Sequence, residues 1–340
     1  MNFKVAVVIL NWNGERFLRK FLPNVQSNSL GEGVGVFVAD NGSTDGSLAL
    51  LDSNFKDVIQ IRLDKNYGFA EGYNRALQQI DAEYFVLLNS DVEVTEGWLQ
   101  PLIEFMDSHP NAAACAPKIM DYSRKEYFEY AGAAGGFIDR FGYPFCRGRV
   151  LSEIEVDENQ YNSSIEIFWA SGACMFVRAS AYLKLGGLDD SFFAHMEEID
   201  LCWRFYNSGF EVWSVPTSKV YHVGGGTLPN NNPHKLYLNY RNSLYMLHKN
   251  LHPKNIFLII SLRIILDWLS AFAYLATFKF QFFKAVFKAH NHYFRNIKFL
   301  NQFRKHSNFK SIKQNPQIFA KSILLHFFLL NRKKFSILKF

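Results

Sequence analysis

Over its first 110 residues the chain alternates two kinds of segment. Short continuous apolar runs, Val5–Leu10, Val34–Ala39, Val58–Leu63 and Tyr84–Leu88, are each followed by a stretch of helical spacing: about Glu15–Val25, Asp45–Phe55, Phe69–Ile80 and Trp98–Asp107. Strands without in–out alternation, separated by helices, predict a parallel sheet covered on both faces. Such a sheet binds its ligand beyond the carboxyl ends of its strands. Those ends are polar here: Asn11-Trp12-Asn13-Gly14, Asp40-Asn41-Gly42-Ser43-Thr44-Asp45, Asp64-Lys65-Asn66-Tyr67-Gly68 and Asn89-Ser90-Asp91-Val92-Glu93.

The turn after the first run lacks the GxGxxG that seats a pyrophosphate on a helix N-terminus, which argues against a nicotinamide-dependent dehydrogenase. Asp91, with Glu93 two residues on, suits a hard cation, Mg²⁺ or Mn²⁺, bridging phosphate oxygens. The Asp40–Asp45 segment reads two ways at once. Ser43, Thr44 or Asp45 caps the following helix, while Asp40 remains a strand-end carboxylate. Glu197, Glu198 and Asp200 open a helix pattern continuing Leu201-Cys202-Trp203-Arg204; they are either acids favoured by the helix dipole or groups for proton transfer. His222 ends another short strand and reads as structural or as a ligand. Gly224 to Gly226, just after it, suit a loop that closes over a ligand.

These residues carry a resemblance. Val-Val-Ile-Leu-Asn-Trp-Asn-Gly (7–14), Val-Ala-Asp-Asn-Gly-Ser-Thr-Asp-Gly-Ser (38–47), Asn-Tyr-Gly-Phe-Ala-Glu-Gly-Tyr-Asn (66–74) and Leu-Leu-Asn-Ser-Asp-Val (87–92) resemble the family 2 glycosyltransferases, nearest their bacterial rhamnosyltransferase-like branch. The likeness continues through 169–178 and 186–204 and ends near Arg241-Asn242. It implies a GT-A fold: a mixed, mostly parallel α/β sheet flanked by helices. It also implies a nucleoside-diphosphate sugar donor, a divalent metal and inversion at the anomeric carbon. Carried over by position, the turn holding Asn11 and Asn13, together with Asp40 and Asn41, contacts nucleobase and ribose. Asn66, Gly68 and Asn74 shape the donor pocket. Asn89-Ser90-Asp91 stands for the family's DxD element without its first Asp, with Asp91 as metal ligand. Glu197-Glu198 aligns with the family's Glu-Asp catalytic element, which makes Glu198 the base, ahead of Glu197 and then Asp200. His222 completes the metal or pyrophosphate site, Arg241 meets the diphosphate, and Trp169 and His195 face the acceptor.

Composition adds a second part. Residues 1–248 carry 20 Lys+Arg against 30 Asp+Glu, and residues 249–340 carry 17 against the single Asp267. This divides the chain into a catalytic region, 1–250, and a basic, aromatic-rich helical region, 251–340, drawn to a polyanion. Ile256 to Phe278 form an apolar stretch with Arg263 and Asp267 at i,i+4, for which an in-plane or partly buried helix costs less than a spanning one. Lys284, Lys288, Asn291, Arg295, Lys298 and Gln302 then recur on one helical face, with Phe283, Val286, Phe287, Phe294 and Ile297 opposite, as in a membrane-surface helix. With no RNA- or DNA-binding motif, an anionic membrane fits better than nucleic acid. Cys115, Cys146, Cys174 and Cys202 read as buried thiols of a reducing compartment. The run Val5–Leu10 is too short for a signal peptide, so the expected location is the cytoplasmic face of the inner membrane, peripherally bound.

The expected activity is therefore transfer of a sugar, dTDP-L-rhamnose or a UDP-sugar being the expected donor. The acceptor is a saccharide, polyprenyl-diphosphate-linked because the basic region brings the site to a membrane. Two other readings stand beside it: a nucleotidyltransferase, which would have little need for Glu198, and a non-catalytic sugar-nucleotide binding module.

Overall fold

The computed structural model describes residues 2–224, 232–304, 309–310 and 315–340. The predicted alternation is present as β1 (Phe3–Asn11), α1 (Glu15–Asn28), β2 (Val34–Asn41), α2 (Ser47–Asn54), β3 (Ile59–Leu63), α3 (Gly68–Leu77) and β4 (Ala82–Asn89). These four strands run parallel in the order β3-β2-β1-β4. Their lack of alternation has the expected cause, since both faces are covered. Val5, Val7, Ile9 and Val86 pack against Leu18, Leu22 and Leu51 on one side, and Ala6, Val8, Phe85 and Leu87 against Ala70, Tyr73 and Tyr182 on the other.

β5 (Val92–Val94), α4 (Gln100–Ser108) and β6 (Ala112–Asp121) follow, then the short strands β7 (Gly136–Asp139), β8 (Pro144–Cys146), β9 (Arg149–Val150), β10 (Glu153–Ile154) and β11 (Ile165–Glu166). Next come β12 (Cys174–Arg178), α5 (Ala179–Lys184), α6 (Glu197–Asn207) and β13 (Glu211–His222). The sheet becomes mixed beyond β4, where β12 inserts antiparallel between β4 and β6, and β13 lies parallel to β6. Two registers matter for the site. Asn89 N donates to Ala173 O at 3.0 Å. β13 pairs with β5 so that His222 lies opposite Val92, next to Asp91.

The remaining helices are α7 (Pro233–Asn250), α8 (Pro253–Ala276), α9 (Phe280–Arg295) and α10 (Ile297–Arg304), followed by β14 (Ile318–Phe319) and α11 (Ile323–Phe328). β14 pairs with β7 and completes a second sheet, β10-β9-β8-β7-β14, on which Phe335 and Phe340 pack at an angle against Phe137 and Phe145. The last residues of the basic region thus share a core with residues 136–154.

Arg263 and Asp267 pair at 2.8 Å on the buried side of α8, joined by His290 at 3.2 Å, with Arg263 also donating to Phe141 O at 3.1 Å. The opposite face of α8 leaves Phe257, Leu258, Ile265, Leu269 and Phe272 exposed. The single basic helix expected across 283–302 is two, parted at Asn296. Its buried stripe is Ala285, Val286, Ala289, His290 and Tyr293, so Phe287 and Phe294 stand exposed among the lysines and arginines rather than opposite them. The cause is α7, which takes up the Ala285–Ala289 edge with Tyr237 and Leu238. All four cysteines are buried and unpaired.

Candidate functional site

At the ends of β1 and β2, asparagines stitch the turns together. Asn11 Nδ2 donates to Asp40 Oδ2 (3.0 Å) and to Ser43 Oγ (3.2 Å), and Asp40 Oδ1 accepts from Ser43 N (2.9 Å). Asn13, in the left-handed region at φ 49°, accepts Thr44 N (2.7 Å) on its Oδ1. Ser43 and Thr44 are therefore part of the turn and do not cap α2; Asp45 alone reaches its first amide, Ser47 N, at 3.0 Å. Asn11 Oδ1 is buried and without a protein partner. A side chain at Gly14 would stand 2.4 Å from that oxygen and would force Asn11 to shift.

Asn41 spans to the next strand end, donating to Asn66 Oδ1 (3.1 Å) and Gly68 O (2.9 Å) while accepting Tyr67 N (3.0 Å). Asn66 Oδ1 also accepts Gly68 N at 2.8 Å. Asn74 points elsewhere than expected. Its amide donates to Leu188 O (2.6 Å) and accepts Leu188 N (3.0 Å) and Tyr182 Oη (2.7 Å), which makes it a tie to the 187–188 turn.

The end of β4 meets the end of β13. Asp91 Oδ1 lies 3.1 Å from His222 Nε2, Asn89 Nδ2 lies 3.4 Å from the same nitrogen, and Glu129 Oε1 lies 3.4 Å from His222 Nδ1. Burial opposes a charge on His222, but Glu129 and Asp91 outweigh it and raise the imidazole to about 10. The protonated ring thus sits between two buried carboxylates, and a divalent cation can replace the Nε2 proton that faces Asp91. The 3.1 Å separation of Asp91 and His222 is close to the ~3 Å edge of an octahedron with 2.1 Å bonds. Among the described residues no third His, Cys, Asp or Glu is arranged as a ligand. The donor set fits Mg²⁺ or Mn²⁺ completed by phosphate oxygens. Glu129 was not anticipated from sequence. Of the glycine loop after His222, Gly224 is left-handed with its Cα facing Glu129 Oε1, and Gly225 and Gly226 lie outside the described residues.

The segment before α6 is strained. Phe193, His195 and Met196 have φ of 64°, 71° and 72°, a conformation costly for non-glycine residues and found where the surrounding structure enforces it. The enforcers come from α7. Asn242 Nδ2 donates to Phe192 O (3.1 Å), Ala194 O (2.8 Å) and His195 O (2.7 Å), and Arg241 Nη2 to Ser191 O (3.0 Å) and Phe192 O (2.8 Å). Arg241, expected at a diphosphate, is instead spent on this loop. On its other side Phe193 O accepts Phe69 N at 2.8 Å, pinning the loop over the start of α3. The result presents Glu197 and Glu198 at the first turn of α6, with Gly172 close to Glu198 and Ala173 bonded to Asn89.

The three acids differ sharply. Asp200 is fully buried but neutralised, accepting from Arg204 Nε (2.8 Å), Lys249 Nζ (3.2 Å) and Asn250 Nδ2 (2.7 Å), while Lys249 also pairs with Asp189. That network makes Asp200 an anchor between α6 and α7 rather than a base. Glu197 Oε2 and Glu198 Oε2 are buried with no partner. Burial, then the charge of Glu198, pushes Glu197 far above the usual carboxylate range, and burial raises Glu198 to about 7. At neutral pH the pair thus holds one protonated and one titrating carboxyl. Trp169, expected toward an acceptor, is core: its indole donates to Phe137 O (3.0 Å) and lies flat on Gly136. His195 has its Nε2 shut from solvent and unpartnered, and burial, with Lys235 and His234, lowers it to about 4.

The family model of glycosyl transferase family 2 matches residues 6–185. The N-acetylglucosaminyl-diphospho-decaprenol L-rhamnosyltransferase of Mycobacterium tuberculosis is 27% identical over 232 residues, 64% of this chain and 75% of the relative. Rhamnosyltransferase WbbL of Escherichia coli (strain K12) is 24% identical over 231 residues, 64% of this chain and 83% of its own length. The crystal structure of GalNAc-T7 with UDP, GalNAc and Mn²⁺ superposes with a TM-score of 0.57 at 13% identity, covering 74% of this chain and 48% of that one.

Proposed function

The chain belongs to glycosyl transferase family 2, and from that premise we propose that it is an inverting transferase moving a sugar, L-rhamnose from its dTDP donor being the first candidate, onto a polyprenyl-diphosphate-linked saccharide. The observation that carries the reading is Glu198, a carboxyl with its Oε2 buried and without a partner, raised to about 7 at the edge of the strand-end crevice. A base acts best when its ordinary state changes near the working pH. A nucleotidyltransferase or a passive binding module has no use for such a group.

In this mechanism Asn11, Asn13, Asp40 and Asn41 hold the nucleoside, and Asn66 and Gly68 shape the turn beside it. Glu198 takes the proton of the acceptor hydroxyl, whose oxygen bonds to the anomeric carbon as the bond to the diphosphate breaks on the opposite side. Glu197, held neutral, keeps a second negative charge away from the departing diphosphate. Asp91 and His222 would hold a divalent cation, which when bound neutralises charge on the leaving group. The relative that acts on a decaprenol-diphosphate sugar supports a lipid-linked acceptor, and a Mn²⁺-bound neighbour supports the metal. The exposed apolar face of α8, within a region that carries 16 basic residues and one buried acid, supports peripheral attachment of residues 251–340 to an anionic bilayer at the cytoplasmic face.

The test is nucleoside-diphosphate release from UDP-, dTDP- and GDP-sugars by purified protein with Mg²⁺ or Mn²⁺, with and without a membrane lipid extract. Release of one nucleotide that needs lipid acceptor, lost in Glu198→Gln, is the expected result. Pyrophosphate release, or donor binding without turnover under every condition, defeats the proposal.

A further inference from the structure

A cluster of basic side chains lies along α7, beside the loop that leads into the base. Tyr237 is surrounded by them. The His234 and His292 rings lie 5.9 and 6.1 Å from its ring, Lys288 Nζ sits 4.8 Å above it, and the Arg241 guanidinium is 5.4 Å away. One residue from His234 is Lys235, two turns before Asn242, so that it shares a helical face with the residue clamping His195. The charges acting on His195 are Lys235 and His234, and those acting on His292 are Arg241, Lys288 and Arg295. The charge of Glu129 acts on Lys235 in the opposite sense. His195 adds an independent sign of a ligand, a buried Nε2 with no protein partner.

Arg241 of this group is engaged by the loop carbonyls, and His195 is held neutral by burial; a polyanion would draw on Lys235 and Lys288 and on histidine N–H donors. Donor phosphates already have a place at Asp91 and His222. The cluster instead faces the helices whose apolar side chains are uncovered: Phe287 and Phe294 of α9 are exposed beside Lys288 and Arg295. Resting on the function proposed above, we propose that His195, His234, Lys235 and Lys288 seat the diphosphate of the lipid-linked acceptor, with the polyprenyl chain lying along the exposed phenylalanines of α9. This arrangement sets the sugar hydroxyl of the acceptor toward Glu198, because His195 is three residues from it on a loop whose backbone is fixed by Asn242.

The test uses the full chain in mild detergent and three probes: farnesyl diphosphate, farnesyl monophosphate, and UDP or dTDP with Mn²⁺. Wild type is expected to prefer farnesyl diphosphate over the monophosphate. Lys235→Gln with Lys288→Gln should weaken farnesyl diphosphate by at least about tenfold and leave nucleotide affinity unchanged. His234→Gln alone provides the same comparison should the double variant melt early. Equal weakening of nucleotide binding assigns the cluster to the donor, and unchanged farnesyl diphosphate binding removes it from the acceptor; either result overturns the proposal. A wild type that turns over donor onto soluble acceptors while ignoring farnesyl diphosphate overturns the lipid-linked reading itself.

Discussion

Replacing Glu198 with glutamine separates the function of this carboxyl from its effect on folding. Burial holds Glu198 near 7, against an ordinary range near 4.5. A difference of that size corresponds to about 3 kcal/mol of preference for the neutral acid. The native state therefore binds this proton more tightly than the unfolded chain does. The stability it confers is complete below about pH 4.5 and is lost as pH rises through 7. Glutamine carries no such penalty, but its amide enters a place where Oε2 already lacks a partner, which reduces the gain to about 1–2 kcal/mol. Thermal unfolding should show Glu198→Gln gaining about 2–4 °C for each kcal/mol at pH 8 and little at pH 5. Loss of a general base should lower sugar transfer about 100- to 10,000-fold. Wild-type turnover should rise with pH and level off above 7. The reasoning fails if the variant keeps a tenth of wild-type transfer, or if its thermal advantage is the same at pH 5 and pH 8.

Asp200→Asn should behave in the opposite way, costing about 3–5 kcal/mol in denaturant unfolding because Arg204 loses its buried carboxylate and Lys249 one of its two; an unaltered midpoint would refute its role as an anchor. Glu129→Gln should weaken Mn²⁺ binding, read by calorimetric titration, about 10- to 100-fold through loss of the carboxylate behind His222 Nδ1; an unchanged affinity would separate Glu129 from the metal. Asn242→Ala removes three hydrogen bonds from a strained loop, so kcat should fall while nucleotide affinity, measured separately, holds; a fall in both would mean that the loop shapes the donor pocket. Ile265→Glu with Leu269→Glu on the exposed face of α8 should abolish sedimentation with anionic vesicles and spare donor binding; retained sedimentation would refute the membrane face.

The parallel half of the sheet was legible because continuous apolar strands have few other uses, and the strand-end polar turns followed from it. The antiparallel half was not. β6 is an alanine-rich run without β-branched residues at its start, and it becomes a strand because β12 and β13 flank it. The second sheet is built from strands of two to four residues, too short for any period, one of them contributed from residue 318. The same limit governs the site. Glu197, Glu198 and Asp200 look alike in a helical first turn, and what separates them is Lys249 and Asn250, about 50 residues away. Arg241 had a basic residue's usual reading until the loop carbonyls it serves were in view. Glu129 lies in no motif, and the β13–β5 register, which carries His222 to Asp91, is what brings the imidazole to it.

These distant partners converge on α7, and that has a mechanical meaning. One side of the helix holds the loop before the base through Arg241 and Asn242, and its end holds α6 through Lys249 and Asn250. One turn before Arg241 the helix carries α9 through Tyr237 and Leu238, while Arg304 of α10 closes its last carbonyls by bonding to His248 O and, at 2.8 Å, to Leu251 O. Helices with exposed phenylalanines are thus bolted to the same element that sets the backbone of His195 and the first turn of Glu198. A basic region tethered by a flexible linker would bring the enzyme to a surface without orienting it. Bound through α7, the apolar face of α8 and α9 stands in a fixed relation to the base. On the proposed function, an acceptor whose diphosphate lay at the bilayer surface would meet Glu198 at one height and one angle, which is the condition for turning proximity into rate.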